Sequence, residues 1–224
     1  MELMVALGVL VGLAALATAL IAVASAQRRR RQQWQRAALE LGLAYSADGG
    51  AFVERCAALK LFQKGHHRRA ENVLEGSLWG GPAVLADYRY TTGGGKSSQV
   101  HRQTVCLLRE STLALPAFVL RREGVGDRLA QAVLGAADLD FADDSAFSRA
   151  WVLQGEDEEA VRLLFGPELR LSLRHAPALP VYVEGRGDTL LVHAGRAVRP
   201  DSVRDLVQQA QSVMAMVRPH SRLG

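Results

Sequence analysis

Apolar residues dominate the start of the chain, uninterrupted by charge. Residues 3–26 carry no charged side chain, and Thr18 and Ser25 are their only hydroxyl groups. A helix of this length rises about 36 Å, whereas the hydrocarbon core of a bilayer is about 30 Å thick. The pattern therefore predicts a transmembrane helix over residues 1–26.

A cleaved signal peptide is the alternative interpretation, because Ala24, Ser25 and Ala26 form a small-residue cleavage site. Three features oppose it. Glu2 makes the leader acidic where signal peptides are basic, the apolar run is longer than usual, and the arginines that follow would hinder translocation. A retained anchor is therefore favoured.

Arginines crowd the segment that follows the apolar run. Residues 27–36 form a basic juxtamembrane segment without an acidic residue. Lys and Arg beside a span are held on the cytoplasmic side, which predicts a single-pass protein with its N-terminus outside and residues 37–224 in the cytoplasm. The residues expected at the membrane interface, where anionic headgroups would meet them, are Arg28, Arg29, Arg30, Arg31, Trp34 and Arg36.

Two glycines inside the apolar run have the spacing of a helix-packing motif. Gly8 and Gly12 form a G-x-x-x-G pair, which lets two helix backbones approach closely. They are a possible helix–helix contact, although such pairs also arise by chance in a span rich in alanine and glycine.

Beyond the basic segment, helical and alternating patterns follow one another. Trp34, Ala37, Ala38 and Leu41 recur at helical spacing, so the membrane helix is expected to lead into an amphipathic helix that Gly42 ends. Alternation, with turns at Gly80–Pro82 and Gly93–Gly95, predicts three antiparallel strands. These strands cover residues 69–78, 83–91 and 100–109. Residues 115–120 add an edge strand, because Pro116 lacks the amide donor of an inner strand.

The second half of the domain mixes helices with strands. Short helices are predicted at 126–134, from Glu156 onward and at 169–173, with Gly166 and Pro167 separating the last two. A strand is predicted at 151–153, and a hairpin pairs residues 181–183 with 189–193. The clearest helix begins after Pro200 and carries apolar residues from Val203 to Val217. Short connections and strand runs predict an α+β domain of antiparallel strands and helices over residues 37–224.

Charge and composition narrow the function classes. The net charge is +4, and five arginines lie within residues 28–36, which leaves about −1 for the remainder. Aromatic residues make up only 6% of the chain, so a nucleic-acid partner is not expected. Cys56 and Cys106 stand far apart and in no motif, as expected of buried, reduced thiols in the cytoplasm.

Four short motifs suggest chemistry, and each has a simpler interpretation. Gly95-Lys96-Ser97 resembles the end of a phosphate-binding loop, but the first glycine of that motif is replaced by Tyr90. Arg186-Gly187-Asp188 is ordinary turn chemistry. The acidic run Asp138, Asp140, Asp143 and Asp144 lacks calcium-loop spacing, and His66-His67 lacks further metal ligands. No cofactor, metal or catalytic residue is assigned.

Several segments of the domain together resemble a group of bacterial single-pass membrane proteins. These segments are Asp87–Lys96 (DYRYTTGGGK), Gln103–Val105 (QTV), Leu115–Phe118 (LPAF), Arg122–Glu123 (RE), Asp138–Phe141 (DLDF), Phe147–Ser148 (FS), Gly155–Glu158 (GEDE) and Val161–Phe165 (VRLLF). The resemblance extends over most of residues 65–217 and implies a bacterial inner-membrane protein. No activity, ligand or functional residue carries over with it.

These observations favour a non-enzymatic interaction or scaffold domain anchored at the cytoplasmic face of the membrane. Its expected partners are the lipid bilayer and either another protein or a second copy of itself. A membrane-associated enzyme and a module that binds anionic lipid headgroups through the arginines remain the alternatives.

Overall fold

The strands in the described part of the domain all belong to one antiparallel sheet. The computed structural model describes residues 2–123, 138–176 and 178–221, with side chains for all of them except residues 2–9, 11 and 96. Eight strands lie in the order β1-β2-β3-β4-β8-β7-β5-β6. Their bounds are β1 Ala44–Asp48, β2 His66–Leu78, β3 Gly81–Thr92, β4 Gln99–Arg109, β5 Leu115–Arg122, β6 Trp151–Gly155, β7 Tyr182–Gly187 and β8 Thr189–His193.

Six α-helices and four short 3₁₀ segments complete the described elements. The helices are α1 Glu2–Leu41, α2 Gly50–Arg55, α3 Ser145–Ala150, α4 Glu158–Leu164, α5 Pro167–His175 and α6 Val203–Val217. The 3₁₀ segments are Lys60–Gln63, Gly95–Ser97, Pro200–Ser202 and Arg218–His220. The predicted helix at 126–134 lies outside the described residues.

Helices cover the two faces of the sheet unequally. Because side chains alternate along a strand, each strand contributes to two cores. On one face, α1, α3, α4, α5 and α6 pack against residues such as Leu85, Phe118 and Leu190. On the other, α2 and the segment Lys60–Gln63 pack against residues such as Tyr88 and Val105. The mixed α+β class predicted from sequence is confirmed.

Helix α1 runs without a break from the apolar stretch into the domain. The side chains of residues 12–29 are exposed, and burial begins at Trp34, Ala37 and Ala38, which join the core on the helical face of the sheet. Gly42, with a positive φ of 68°, ends the helix as predicted. Among the described residues, no helix meets the length and hydropathy of a membrane span.

Polar caps and breakers place the shorter helices. Asp144 accepts from the amide of Phe147 at 3.0 Å and caps α3, and Asp157 accepts from the amide of Ala160 at 3.1 Å and caps α4. Pro167 occupies the first turn of α5, which confirms that Gly166 and Pro167 separate two helices.

The strand at residues 115–122 is not at the edge, so that expectation is wrong. β5 lies between β7 and β6, and β6 is the edge strand. Pro116 is accommodated because the pairing with β7 shifts register between Leu115 and Phe118, where a ladder donor is not needed. Strand β1 and helices α2 and α3 were not predicted, since each has only five or six residues.

Candidate functional site

An ion pair joins helix α1 to the sheet. Arg30 donates from Nε and Nη2 to the two carboxylate oxygens of Asp87 on β3, each at 2.8 Å, and Nη2 also donates to the carbonyl of Val198 at 3.0 Å. The two side chains are 33% and 17% exposed. Such a two-pronged, partly buried pair fixes the direction in which α1 leaves the sheet.

Asp87 also accepts from its neighbours on both sides. Asn72 on β2 donates to Oδ2 at 3.1 Å, and Thr104 on β4 donates to Oδ1 at 2.9 Å. Asn72 holds a positive φ of 53° at a register shift of β2, and its amide oxygen accepts from Tyr45 at 3.0 Å. Each carboxylate oxygen therefore accepts two hydrogen bonds, one from Arg30 on α1 and one from a neighbouring strand.

Two positions further along the strands, on the same face of the sheet, three arginines lie side by side. Arg69 on β2 pairs in register with Arg89 on β3, and Arg89 pairs with Arg102 on β4. We call Arg69, Arg89 and Arg102 the arginine row. Glu71 lies 2.9 Å from Arg69 and 3.9 Å from Arg89, and within the described residues no carboxylate forms an ion pair with Arg102.

The arginine row, α1 and the Asp87 cluster enclose a cavity of about 160 Å³, which we call the arginine pocket. Five arginines line it against two carboxylates: Arg30, Arg31, Arg69, Arg89 and Arg102, with Glu71 and Asp87. The pocket is therefore positively charged, and Arg31 brings the basic segment of residues 27–36 directly into it.

The structure separates the residues predicted for the membrane interface. Trp34 is completely buried in the core. The Cζ atom of Arg30 lies 6.0 Å from the centre of the Trp34 ring, and the guanidinium of Arg30 forms an ion pair with Asp87. The indole therefore faces the core rather than headgroups. Arg28, Arg29, Arg31 and Arg36 are exposed, and their contact with lipid stays a prediction.

The glycine pair of the apolar stretch lies within α1. A Cβ atom added to Gly12 would meet nothing within 4 Å, so this face of the helix is open. The side chain environment of Gly8 lies outside the described residues. Helix–helix contact through the pair stays a prediction.

A second polar cluster is buried on the opposite face of the sheet. The carboxylate of Glu184 accepts from the amides of Lys60 and Leu61 and from the hydroxyl of Tyr182, at 3.1 Å for Leu61 and 2.9 Å for Tyr182. Burial raises the pKa of Glu184 and lowers that of Lys64 to about 8. The cluster fastens the segment Lys60–Gln63 to the sheet.

His193 stacks on Tyr182 within this cluster, with ring centres 4.5 Å apart. Its Nδ1 accepts from the amide of Gly195 at 2.9 Å, and within the described residues Nε2 has no hydrogen-bond partner. Burial lowers the pKa of His193 to about 3, so the ring is neutral at physiological pH. Such a completely enclosed imidazole is a core residue, with no access for a substrate.

The short motifs have structural roles. Gly95–Ser97 is in the turn between β3 and β4, and Arg186–Asp188 spans the end of β7 and the turn that leads to β8. In the acidic run, Asp143 and Asp144 pair with Arg170, and Asp144 also pairs with Arg174 at 2.9 Å. Among the described residues, no group of three His, Cys, Asp or Glu side chains could hold a metal ion.

Two larger grooves lie elsewhere on the surface. One, of about 640 Å³, runs between β5 and α4 beside Leu163, and the other, of about 590 Å³, lies beside Trp79 and Met214. Neither brings together a set of like charges comparable to the arginine row. The arginine pocket is smaller, but it is the concave feature in which charge is concentrated in the described part of the chain.

The fold and the site together define a class of protein. It is an α+β domain built on one antiparallel sheet, and the C-terminal part of its long N-terminal helix packs beside a basic pocket. Among solved structures, the crystal structure of the mycobacterial trehalose monomycolate transport factor A is similar, with a TM-score of 0.59. The match covers 87% of this chain and 93% of that chain at 15% sequence identity, and at this identity it shows a shared fold. No family model matches the chain, and no curated protein is similar to it in sequence.

Proposed function

We propose that the chain is a membrane-anchored, non-enzymatic accessory protein that assists lipid transport at the bacterial inner membrane. The observation that carries the proposal is the fold shared, over most of both chains, with a factor named for transport of trehalose monomycolate. By analogy, the substrate class is a glycolipid, and the domain acts through partners rather than by chemistry on the lipid.

Anchoring is supported by the sequence and surroundings of α1. The uncharged stretch begins at Leu3, ahead of the part of α1 whose side chains are described. Within that part, Leu10, Leu20 and Ile21 are 62–69% exposed. A row of exposed aliphatic side chains is unfavourable in water at about 25 cal/mol per Å², and a bilayer relieves that cost.

Orientation is supported by the arginines that follow the stretch. With Arg28–Arg31 held on the cytoplasmic side, the N-terminus lies outside and the sheet domain lies in the cytoplasm. The domain then works against the inner leaflet, where a transport protein or a second copy of this chain would be its partner.

Fractionation and fusion proteins test the anchoring. We expect the full chain to stay in the membrane pellet after washing at alkaline pH, and a C-terminal alkaline phosphatase fusion to be inactive while a C-terminal fluorescent-protein fusion fluoresces. A chain lacking residues 1–26 is the control and should leave the pellet. Release of the full chain by the wash, or an active phosphatase fusion, contradicts the proposal.

Loss of the gene tests the role in transport. We expect a deletion strain to accumulate a glycolipid precursor inside the cell and to lose the derived lipid from the envelope, as measured by mass spectrometry of separated fractions. The full chain should restore both, and the chain lacking residues 1–26 should restore neither. Unchanged lipids in the deletion strain would exclude the transport role.

A further inference from the structure

The arginine row concentrates like charge at a cost to the fold. Arg69, Arg89 and Arg102 lie directly opposite one another across three strands, an arrangement that destabilises a sheet. Within the described residues, Glu71 is the single carboxylate in ion-pair distance of the row. Asp87 also lines the pocket, but it pairs with Arg30. An excess of positive charge held in register is what an anionic ligand would neutralise.

The size of the arginine pocket limits what that anion can be. Its volume of about 160 Å³ is smaller than the about 300 to 1,000 Å³ of pockets that enclose drug-sized ligands. A phosphate ester with a small substituent fits, and an acyl chain does not. Planar guanidinium groups on adjacent strands also match the paired oxygens of a phosphate.

The pocket lies next to the predicted end of the membrane span. Arg30, which lines it, follows Ala26 by four residues, about 6 Å along a helix axis. If residues 3–26 cross the bilayer, as the proposed function requires, the pocket opens about one helical turn from the lipid headgroups. A phosphate of a lipid headgroup is therefore within its reach.

We infer that the arginine pocket binds the phosphate ester of an anionic lipid headgroup, with the arginine row and Arg31 as donors. This inference rests on the proposed anchoring and adds a ligand class to it. The same chemistry would accept a soluble phosphate ester, so the test separates the two sources. Binding by the row would hold the sheet domain at a defined orientation to the inner leaflet.

Native mass spectrometry of the full-length chain in an uncharged detergent provides the test. The probes are dihexanoyl phosphatidylglycerol, dihexanoyl phosphatidylcholine, glycerol 1-phosphate and inorganic phosphate. The test variant combines Arg69→Gln, Arg89→Gln and Arg102→Gln. The matched control combines Arg55→Gln, Arg149→Gln and Arg204→Gln, which removes the same charge from exposed positions outside the pocket.

We expect the native chain to bind phosphatidylglycerol in preference to phosphatidylcholine. The dissociation constant for phosphatidylglycerol should rise at least tenfold in the test variant and about threefold in Arg102→Gln alone. In the control variant it should rise less than twofold. The test variant should also unfold at about the same temperature as the native chain, because the relief of like-charge repulsion offsets the loss of the exposed ion pairs of Glu71 with Arg69 and Arg89. This measurement guards against loss of binding through misfolding.

The small probes identify the source of the phosphate. Binding of phosphatidylglycerol without glycerol 1-phosphate or phosphate supports a lipid headgroup, and binding of all three, each lost in the test variant, supports a soluble phosphate ester. No preference for phosphatidylglycerol together with no binding of the small anions, or equal losses in the test and control variants, overturns the inference. Fractionation measures membrane anchoring separately. Its result depends on residues 3–26 and not on the arginine row.

Discussion

Asp87 shows how one side chain can join three strands to a helix. It accepts from Asn72 and Thr104 on the strands at either side and from both prongs of Arg30 on α1. Breaking a partly buried pair leaves the remaining charge without compensation, which costs more than the pair itself contributes. The contact is therefore sensitive to the loss of either partner.

We predict that Asp87→Asn lowers the free energy of unfolding by about 1 to 3 kcal/mol, since Arg30 loses its counter-ion. Urea unfolding of the detergent-solubilised full chain, followed by tryptophan fluorescence, measures this loss. Asp201→Asn, which removes an exposed pair with Arg199, should stay within about 0.5 kcal/mol.

A double-mutant cycle that combines Asp87→Asn with Arg30→Gln measures the interaction free energy between Asp87 and Arg30. The double variant should be at least about 1 kcal/mol more stable than the sum of the two single losses predicts. Strict additivity would show that the two residues stabilise the protein through other contacts.

Among the secondary-structure elements, the hairpin of β2 and β3 contains a turn whose sequence does not suit its backbone conformation. Its two-residue turn places Trp79 at a φ of 51° and Gly80 at 84°, and Leu78 pairs with Gly81 across it. Two positive φ values define a type I′ turn, in which Asn-Gly is favoured and a bulky residue is strained. Trp79 is nevertheless 54% exposed, so packing offsets little of that strain.

We predict that Trp79→Asn raises the free energy of unfolding by about 0.5 to 1 kcal/mol, because asparagine tolerates the left-handed conformation. Trp79→Leu removes the indole and keeps the strain, so it should not stabilise. The same urea measurement compares the two. Equal destabilisation by both variants would mean that the indole packs more strongly than its exposure indicates.

Sequence patterns located most elements because each pattern depends on neighbours along the chain. The strands β2, β3 and β4 and helix α6 were predicted within a few residues, since alternation and helical spacing recur over ten or more positions. The place of β5 was missed, because the neighbours of a strand depend on crossovers that leave no local pattern. Pro116 suggested an edge, but the register shift beside it makes an inner position possible.

One signal for the arginine row was present in the sequence. Arg89 and Arg102 lie at nearly equal distances from the turn at Gly95–Ser97, so the predicted hairpin alone would have paired them. Arg69 could not have been added, because the register shifts of β2 at Asn72 and near His66 are not visible in the alternation. The site was therefore predictable in part.

At the scale of the whole molecule, the sheet carries polar groups on both faces, and those on the α2 side couple folding to pH. Burial holds the pKa of His193 at about 3, whereas the unfolded chain has the usual value near 6.5. Below pH 6.5 the unfolded chain takes up a proton that the folded chain does not. Stability contributed by the neutral ring is therefore lost as pH falls from about 6.5 toward 3.

We predict that the gap in the free energy of unfolding between the native chain and His193→Gln shrinks by about 2 kcal/mol between pH 7 and pH 5. The reason is that glutamine does not titrate, whereas His193 is protonated in the unfolded native chain. Urea unfolding at both pH values measures the gap. A constant gap for His193→Gln would mean that the ring takes up protons equally in the folded and the unfolded chain, so that burial does not lower its pKa.

The sequence by itself determined the apolar stretch, the basic segment after it, the α+β class and most strands and helices, because these depend on local periodicity and on charge counts. Only the tertiary structure decided that Trp34 belongs to the core, that Arg30 serves Asp87, and that three arginines share one row. Arg30 and Asp87 are 57 residues apart, and contacts over such distances follow from strand register and helix packing. Local patterns constrain neither, since many registers satisfy the same alternation of polar and apolar residues.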